Sequence, residues 1–359
     1  MPEGATLARP TVDSVGDSSV TRIIPAPPPI IRLLGVELHR VTEVEAIQYI
    51  LDRLDAERGG VVVTPNLDHL RRCRADKSFA AFVAEAELVV ADGMPLVWAS
   101  RIQGTPLPER VAGSDLISSL SAAAAERGRS IFLLGGSPGT AEGAAQLLKR
   151  NHPTLRVVGT CCPPIGFESS VEEYAKLEAQ LAAARPDIIF VALGSPKQEQ
   201  LIERVRRVLP QAWWLGVGVS FSFLTGHVRR APKWVQSLGI EWVHRLCQEP
   251  RRLFKRYLVQ GIPFAGVLMA DAATQRVRLK FSRGNTSLPS YRRPDRFIGH
   301  GLTTHASNNG NNGNNGSNGS NGNIGHVGHA APTISDPLGR ALDGIESAHA
   351  SANGAMTAA

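Results

Sequence analysis

From residue 34 to residue 228 the chain alternates short apolar runs with longer stretches in which apolar residues recur every three or four positions. The apolar runs are Gly60–Thr64, Leu88–Asp92, Ser130–Gly135, Leu155–Thr160, Asp187–Gly194 and Ala212–Gly218. Their length and β-rich composition predict strands, and their lack of polar alternation predicts strands covered on both faces. Helical periodicity separates them, for example over Glu43–Arg58, Ser114–Arg127, Thr140–Asn151, Val171–Ala184 and Pro196–Val208. Such alternation predicts an α/β domain with a doubly wound, mostly parallel sheet and right-handed crossovers. Strand order is not encoded in the pattern.

The pattern stops at both ends. Residues 1–33 contain the run Pro25–Pro29, broken only by Ala26, and read as a disordered lead-in. Residues 284–359 read as a disordered tail. Within it, 307–325 are Ser, Asn or Gly at every position except Ile324, which leaves nothing to fill a core.

No basic start followed by an apolar run opens the chain, and no apolar stretch reaches the roughly 20 residues that span a bilayer. The four cysteines, Cys73, Cys161, Cys162 and Cys247, make neither a C-x-x-C pair nor a zinc-type spacing. A reducing, cytoplasmic location is the expectation, with Cys161 and Cys162 as packing residues.

Charge changes the picture near the end of the patterned region. The net charge is +7, yet Arg229–Arg283 alone holds twelve Lys/Arg against three acidic residues, a net of +9. A basic helical appendage over 229–283 that seeks anions is therefore expected after a 34–228 α/β domain. In Arg251–Gln260, Leu253, Phe254, Tyr257 and Leu258 share one helical face, and Arg251, Arg252, Lys255 and Arg256 another. That fits a helix lying on an anionic membrane surface at the inner face of the cell membrane. It equally fits an ordinary surface helix packed on the α/β body.

Ligands of open parallel sheets bind outside the carboxyl ends of the strands, and the polar residues collect there. The strand ends run into Thr64-Pro65-Asn66, Asp92-Gly93, Gly135-Gly136, Gly194-Ser195-Pro196-Lys197-Gln198 and Gly216-Val217-Gly218. Each reads as a strand, a tight turn and a helix N-terminus, where backbone N–H groups face an anion. A turn alone is as well explained by loop geometry, but several on one edge favour a ligand. Neither a G-x-G-x-x-G fingerprint nor a Walker A sequence is present, which argues against a nicotinamide cofactor.

Asp92 is the sharpest candidate. It reads either as a helix cap or as a general base that takes a proton from a hydroxyl nucleophile. Thr64 and Asn66 flank it, and Asn66 too has a capping reading. No Asp-x-Asp pair exists to hold a divalent cation. Arginines of the basic segment, Arg230, Arg251 and Arg252 among them, would then carry the counter-charge for a diphosphate.

Together with Pro108-Glu109-Arg110-Val-Ala-Gly113-Ser-Asp115, Arg230-Ala-Pro232 and Glu241-Trp242 followed by Glu249-Pro250-Arg251-Arg252, these fragments occur in a recognisable order over residues 34–265. They resemble the WecG/TagA/CpsF glycosyltransferases. The resemblance implies a Rossmann-like fold and inverting, metal-independent transfer with no cofactor. The implied donor is a nucleotide sugar, by default UDP-N-acetylmannosamine or its uronic acid. The implied acceptor is N-acetylglucosamine on a polyprenyl diphosphate, for cell-surface polysaccharide synthesis.

Some members transfer glucose-type sugars instead. By the same resemblance Asp92 is the base, with Thr64 beside it in the catalytic pair. Asn66, Arg110 and Gln198 line the pocket with the turn glycines Gly135, Gly136, Gly216 and Gly218, and the basic appendage completes the site and touches the membrane. Phe221-Ser222-Phe223 departs from a common Phe-Asp-Phe-like segment, so donor and acceptor identity stay open. Nucleic acid is not an expected partner; a homo-oligomer is compatible with the pattern. A non-catalytic basic membrane- or nucleic-acid-binding protein is the alternative of another class, and it leaves the polar strand ends without a role.

Overall fold

The computed structural model describes residues 25–232, 235 and 239–283, so the expectations for residues 1–24 and for the tail from 284 lie outside the described residues. The first element is an antiparallel hairpin, β1 (Ile30–Leu33) and β2 (Val36–His39), closed by Leu34 and Gly35 at positive φ. Leu33 and Leu38 are buried. The folded chain thus starts before residue 34, inside the expected lead-in, where the proline run hides a strand of only four residues.

Helix α1 (Glu43–Asp55) opens on a capping box in which Thr42 and Glu45 satisfy each other's backbone N–H. Then come β3 (Gly60–Val63), α2 (Leu67–Ala75), α3 (Lys77–Glu85), β4 (Leu88–Val89), α4 (Met94–Gln103) and α5 (Gly113–Glu126). The second half adds β5 (Ser130–Gly135), α6 (Thr140–Asn151), β6 (Arg156–Cys161), α7 (Val171–Ala184), β7 (Ile188–Ala192), α8 (Lys197–Val205), β8 (Trp213–Gly216) and α9 (Ser220–Leu224).

Six strands form one parallel sheet in the order β4-β3-β8-β7-β5-β6. Its central strands are buried on both faces, as the continuous apolar runs require: β5 and β7 are buried at every position. One core lies between the sheet and α2, α3, α4, α7 and α8; the other lies between it and α1, α5 and α6. The chain leaves β3 for β4 at one edge and β5 for β6 at the other. Those connections diverge, which by the rule for open parallel sheets places the expected ligand crevice between them, at the ends of β8 and β7.

The basic segment forms α10 (Glu241–Gln248), α11 (Pro250–Phe254), a π-helical stretch (Lys255–Gly261) and α12 (Ile262–Arg283). It is helical, and α12 packs along α4 and reaches α2 and β1. Phe264, Leu268 and Ala272 of α12 are buried in the same core as the sheet. The single apolar face read for 251–260 is divided, because Leu253 is buried whereas Phe254 is 55% exposed. No described helix is long and apolar enough to cross a membrane.

Candidate active site

Strand β4 ends at Val89, but the chain stays tied to β3 beyond it. Val90 N–H donates to Val63 C=O and Asp92 N–H to Pro65 C=O, both at 2.9 Å. These bonds carry Asp92 to the carboxyl edge of the sheet. Gly93 follows at φ 142°, a conformation that turns the chain into α4 and that side chains rarely adopt. Val111 N–H bonds Ala91 C=O at 2.9 Å and so brings Arg110 alongside.

A five-residue charge cluster results. Arg110 lies 3.8 Å from Asp92, 3.1 Å from Asp115 and 3.3 Å from Glu241. Arg230 lies 2.6 Å from Asp115 and 3.8 Å from Glu241. Asp92 keeps 29% of its side chain open to solvent, with protein packed around the remainder. That burial raises its carboxyl to about 7; Arg110 opposes the rise, while Glu241 and Asp115 add to it. A carboxyl poised there exchanges a proton near neutrality. Arg230 Nη2–H is buried and makes no hydrogen bond, which leaves a donor for an incoming anion.

Thr64 and Asn66 reach the same edge from β3, the strand next to β4. A Cβ on Gly113 would stand 3.2 Å from Thr64 Oγ1, so the glycine lets α5 start against that hydroxyl. Asn66 caps α2, its Oδ1 accepting from Asp68 and His69 N–H. The capping reading is therefore correct for Asn66, whose side-chain oxygen is engaged by its own helix.

Gln198, at the start of α8, crosses to β8: its Oε1 accepts from Gly218 N–H at 3.0 Å. Gly216 is required by this crossing, since a Cβ there would lie 2.4 Å from Gln198 Nε2. Gly135 and Gly136 end β5 at positive φ, and a Cβ on Gly136 would meet Thr140 Oγ1 at 2.4 Å and Phe221 at 3.1 Å. Packing alone accounts for these two glycines. Arg252 bonds Glu249 at 2.7 Å and its side chain is 63% exposed. Among the described contacts, neither Arg251 nor Arg252 joins the cluster around Asp92.

Asp115 and Glu241 were not singled out by sequence reasoning, although both stand inside fragments that carry the resemblance. Their signal is electrostatic: two arginines and one acid at a strand end call for more carboxylates. Among the described residues, no group of three His, Cys, Asp or Glu side chains is arranged to hold a metal ion.

The model of the glycosyl transferase WecG/TagA/CpsF family matches residues 31–278. The chain belongs to that family. It is a glycosyltransferase. Among its relatives, the N-acetylglucosaminyldiphosphoundecaprenol N-acetyl-beta-D-mannosaminyltransferase of Bacillus spizizenii is 31% identical over 199 residues, 55% of this chain and 75% of the relative. The enzyme of the same name from Bacillus subtilis is 31% identical over 205 residues, 57% of this chain and 77% of the relative. The WecG/TagA/CpsF match begins in β1 and ends in α12, so hairpin, sheet and basic helices fall within a single family unit.

Proposed function

We propose that this glycosyltransferase moves N-acetylmannosamine or its uronic acid from UDP to N-acetylglucosamine on a polyprenyl diphosphate, with inversion and without a metal ion. The observation that carries the reading is Asp92, a carboxyl at the sheet edge raised to about 7 and held 3.8 Å from Arg110. The relatives, named as N-acetyl-beta-D-mannosaminyltransferases acting on N-acetylglucosaminyldiphosphoundecaprenol, support the choice of sugar, β-linkage and lipid-linked acceptor.

In this reading the acceptor hydroxyl attacks the anomeric carbon of an α-linked donor from the face opposite UDP. Asp92 takes the hydroxyl proton as the new bond forms and the bond to the diphosphate breaks. Thr64 orients the attacking group from β3. Arg110 and Arg230 stabilise the charge that builds on the departing diphosphate, the task a divalent cation performs in many other glycosyltransferases. Gln198 and the turn Gly216–Gly218 form the wall against which the nucleotide lies. Arg251 and Arg252, outside the cluster, face an anionic membrane and hold the cleft near its lipid-linked acceptor.

The test is UDP release across a panel of UDP-sugars with a lipid-diphosphate N-acetylglucosamine acceptor. UDP-N-acetylmannosamine is expected to be turned over and the Asp92→Asn variant to be inactive. Turnover of UDP-glucose alone would replace the donor, and a fully active variant would remove Asp92 from the chemistry.

A further inference from the structure

Gln198 is held from two sides. Gly218 N–H donates to its Oε1 at 3.0 Å, and its Nε2 donates to Glu199 Oε1 at 2.9 Å. Both neighbours are buried, Gln198 at 6% and Glu199 at 5% exposure. Beside them lies a small, partly enclosed void bordered by Thr64, His69, Phe82, Gln198, Glu199 and Gly216, with room for about one water molecule. Glu199 Oε2 and His69 Nε2 are buried and without a hydrogen-bond partner. Buried polar atoms left unpaired are costly, so two of them on one void mark a small polar ligand site.

Among the described groups, the charge that favours a Glu199 carboxylate is Arg72, which stands beyond ion-pair distance. From α2 come His69 and Arg72; Arg72 has Asp68 at 4.0 Å and lies over the Phe79 ring. His69 is driven down to about 4 by burial and is neutral; its Nδ1 accepts from Asn66 N–H, which leaves the proton on Nε2. On α3, Glu85 is bound to Arg206. On α8 itself, Lys197 is bound to Glu168, and the turn before it adds only the Ser195 hydroxyl. From β8 come Trp214 and Gly216, which do not titrate. No described cation stands within ion-pair distance of Glu199.

We propose that Glu199 acts as a neutral carboxylic acid, a positioning residue that fixes the Gln198 amide with one oxygen and donates its proton to a water in the void with the other. His69 Nε2–H donates to the same water. Both orphaned atoms are then satisfied, and Gln198 is held at the angle that meets Gly218. Burial raises the Glu199 carboxyl more than the Gln198 amide, its own backbone N–H, the Ser195 hydroxyl and Arg72 together lower it, in agreement with the neutral form. The inference rests on the reading of Gln198 as part of the nucleotide wall.

The experiment compares Glu199→Gln with Glu199→Ala in the full chain, using UDP as the probe in titration calorimetry across pH. Glutamine reproduces the neutral acid, with one acceptor and one donor end, so Glu199→Gln should bind UDP within about threefold of wild type. Glu199→Ala should bind about 10-fold more weakly, the scale of a lost buried hydrogen bond. Above the Asp92 transition near pH 7, which both proteins share, wild type should lose further UDP affinity as Glu199 ionises, and Glu199→Gln should not.

An infrared band of a protonated carboxyl, present in wild type at neutral pH and lost in Glu199→Gln, is expected as well. Equal weakening by Gln and Ala, identical pH profiles, or no such band would each overturn the proposal. If Glu199→Ala does not fold, the Gln variant and the band still decide. Wild-type UDP affinity in Gln198→Ala would sink the nucleotide-wall reading instead, while the band continues to report on Glu199.

Discussion

The Arg110 guanidinium, in the loop before α5, lies 3.3 Å from the Glu241 carboxylate on α10, 131 residues further along the chain. This bond joins the basic segment to the sheet edge that carries Asp92. The charge environment of Asp92 is therefore assembled from both halves of the sequence.

If Asp92 is the base, Asp92→Asn should lose at least about 100-fold in kcat. Its fold should survive. A carboxyl raised from 3.8 to about 7 favours the folded state when protonated, so that contribution to stability fades as pH rises through about 7. At pH 8 the amide variant should thus melt at the same temperature as wild type or higher. Turnover near the wild-type rate would exclude the role.

The acidic limb of kcat/KM should lie near pH 7, activity rising as Asp92 loses its proton. Its neighbours should move that limb in opposite directions. Glu241→Gln removes a negative charge that raises the Asp92 carboxyl, so the limb should shift to lower pH. Arg110→Met removes the positive charge that lowers it, so the limb should shift to higher pH. Shifts of the same sign in both variants would show that the limb belongs to another group.

Dialysis against EDTA should leave turnover unchanged, because Arg110 and Arg230 are assigned the counter-charge of the leaving diphosphate. Activity abolished by EDTA and restored by Mg²⁺ or Mn²⁺ would show that the arginines are not sufficient.

Gly216→Ala places a Cβ where Gln198 Nε2 now stands, 2.4 Å away. Overpacking of this kind costs about 1–3 kcal/mol, and Gln198 is the movable partner. The variant should fold with a lowered Tm and bind UDP weakly. A wild-type UDP affinity would mean that the nucleotide does not touch Gln198.

The two sets of arginines should separate under mutation. Replacing Arg251 and Arg252 together by Ala should weaken binding to vesicles with anionic lipid yet spare transfer to a water-soluble acceptor, since neither side chain joins the cluster. At about 1 kcal/mol per basic residue near such a surface, the pair accounts for roughly 30-fold. Arg230→Ala should show the reverse, keeping vesicle binding but losing turnover with the soluble acceptor, because Arg230 is bound to Asp115 within the cluster. The opposite assignment of the two losses would exchange their roles.

The strands and helices of the doubly wound sheet were legible because each buries a continuous or periodic apolar surface. Helices Thr140–Asn151 and Val171–Ala184 and strand Ser130–Gly135 match the sequence pattern residue for residue. Strand Leu88–Asp92 was read too long, since only two residues pair in strand geometry before the chain turns toward Asp92. The hairpin at Ile30–His39 escaped because four residues beside a proline run carry too little periodicity. Asp92, Thr64 and Gln198 were legible as polar residues at strand ends, and Arg110 through the family resemblance alone. Glu241 and Asp115 were not, because only the folded structure brings the two of them together around Arg110 and Arg230.

The cluster of Asp92, Asp115, Glu241, Arg110 and Arg230 holds three acids and two arginines, each arginine already ion-paired from within. An entering dianion therefore takes part in an exchange of partners rather than filling an open cationic hole. Whichever arginine it captures is withdrawn from the acids, and its own negative charge adds to theirs. Asp92 then holds its proton more tightly, so ligand association near neutral pH is coupled to proton uptake from the buffer. Measured heats of binding will consequently depend on the ionisation enthalpy of the buffer, and affinity will fall as the medium becomes more alkaline.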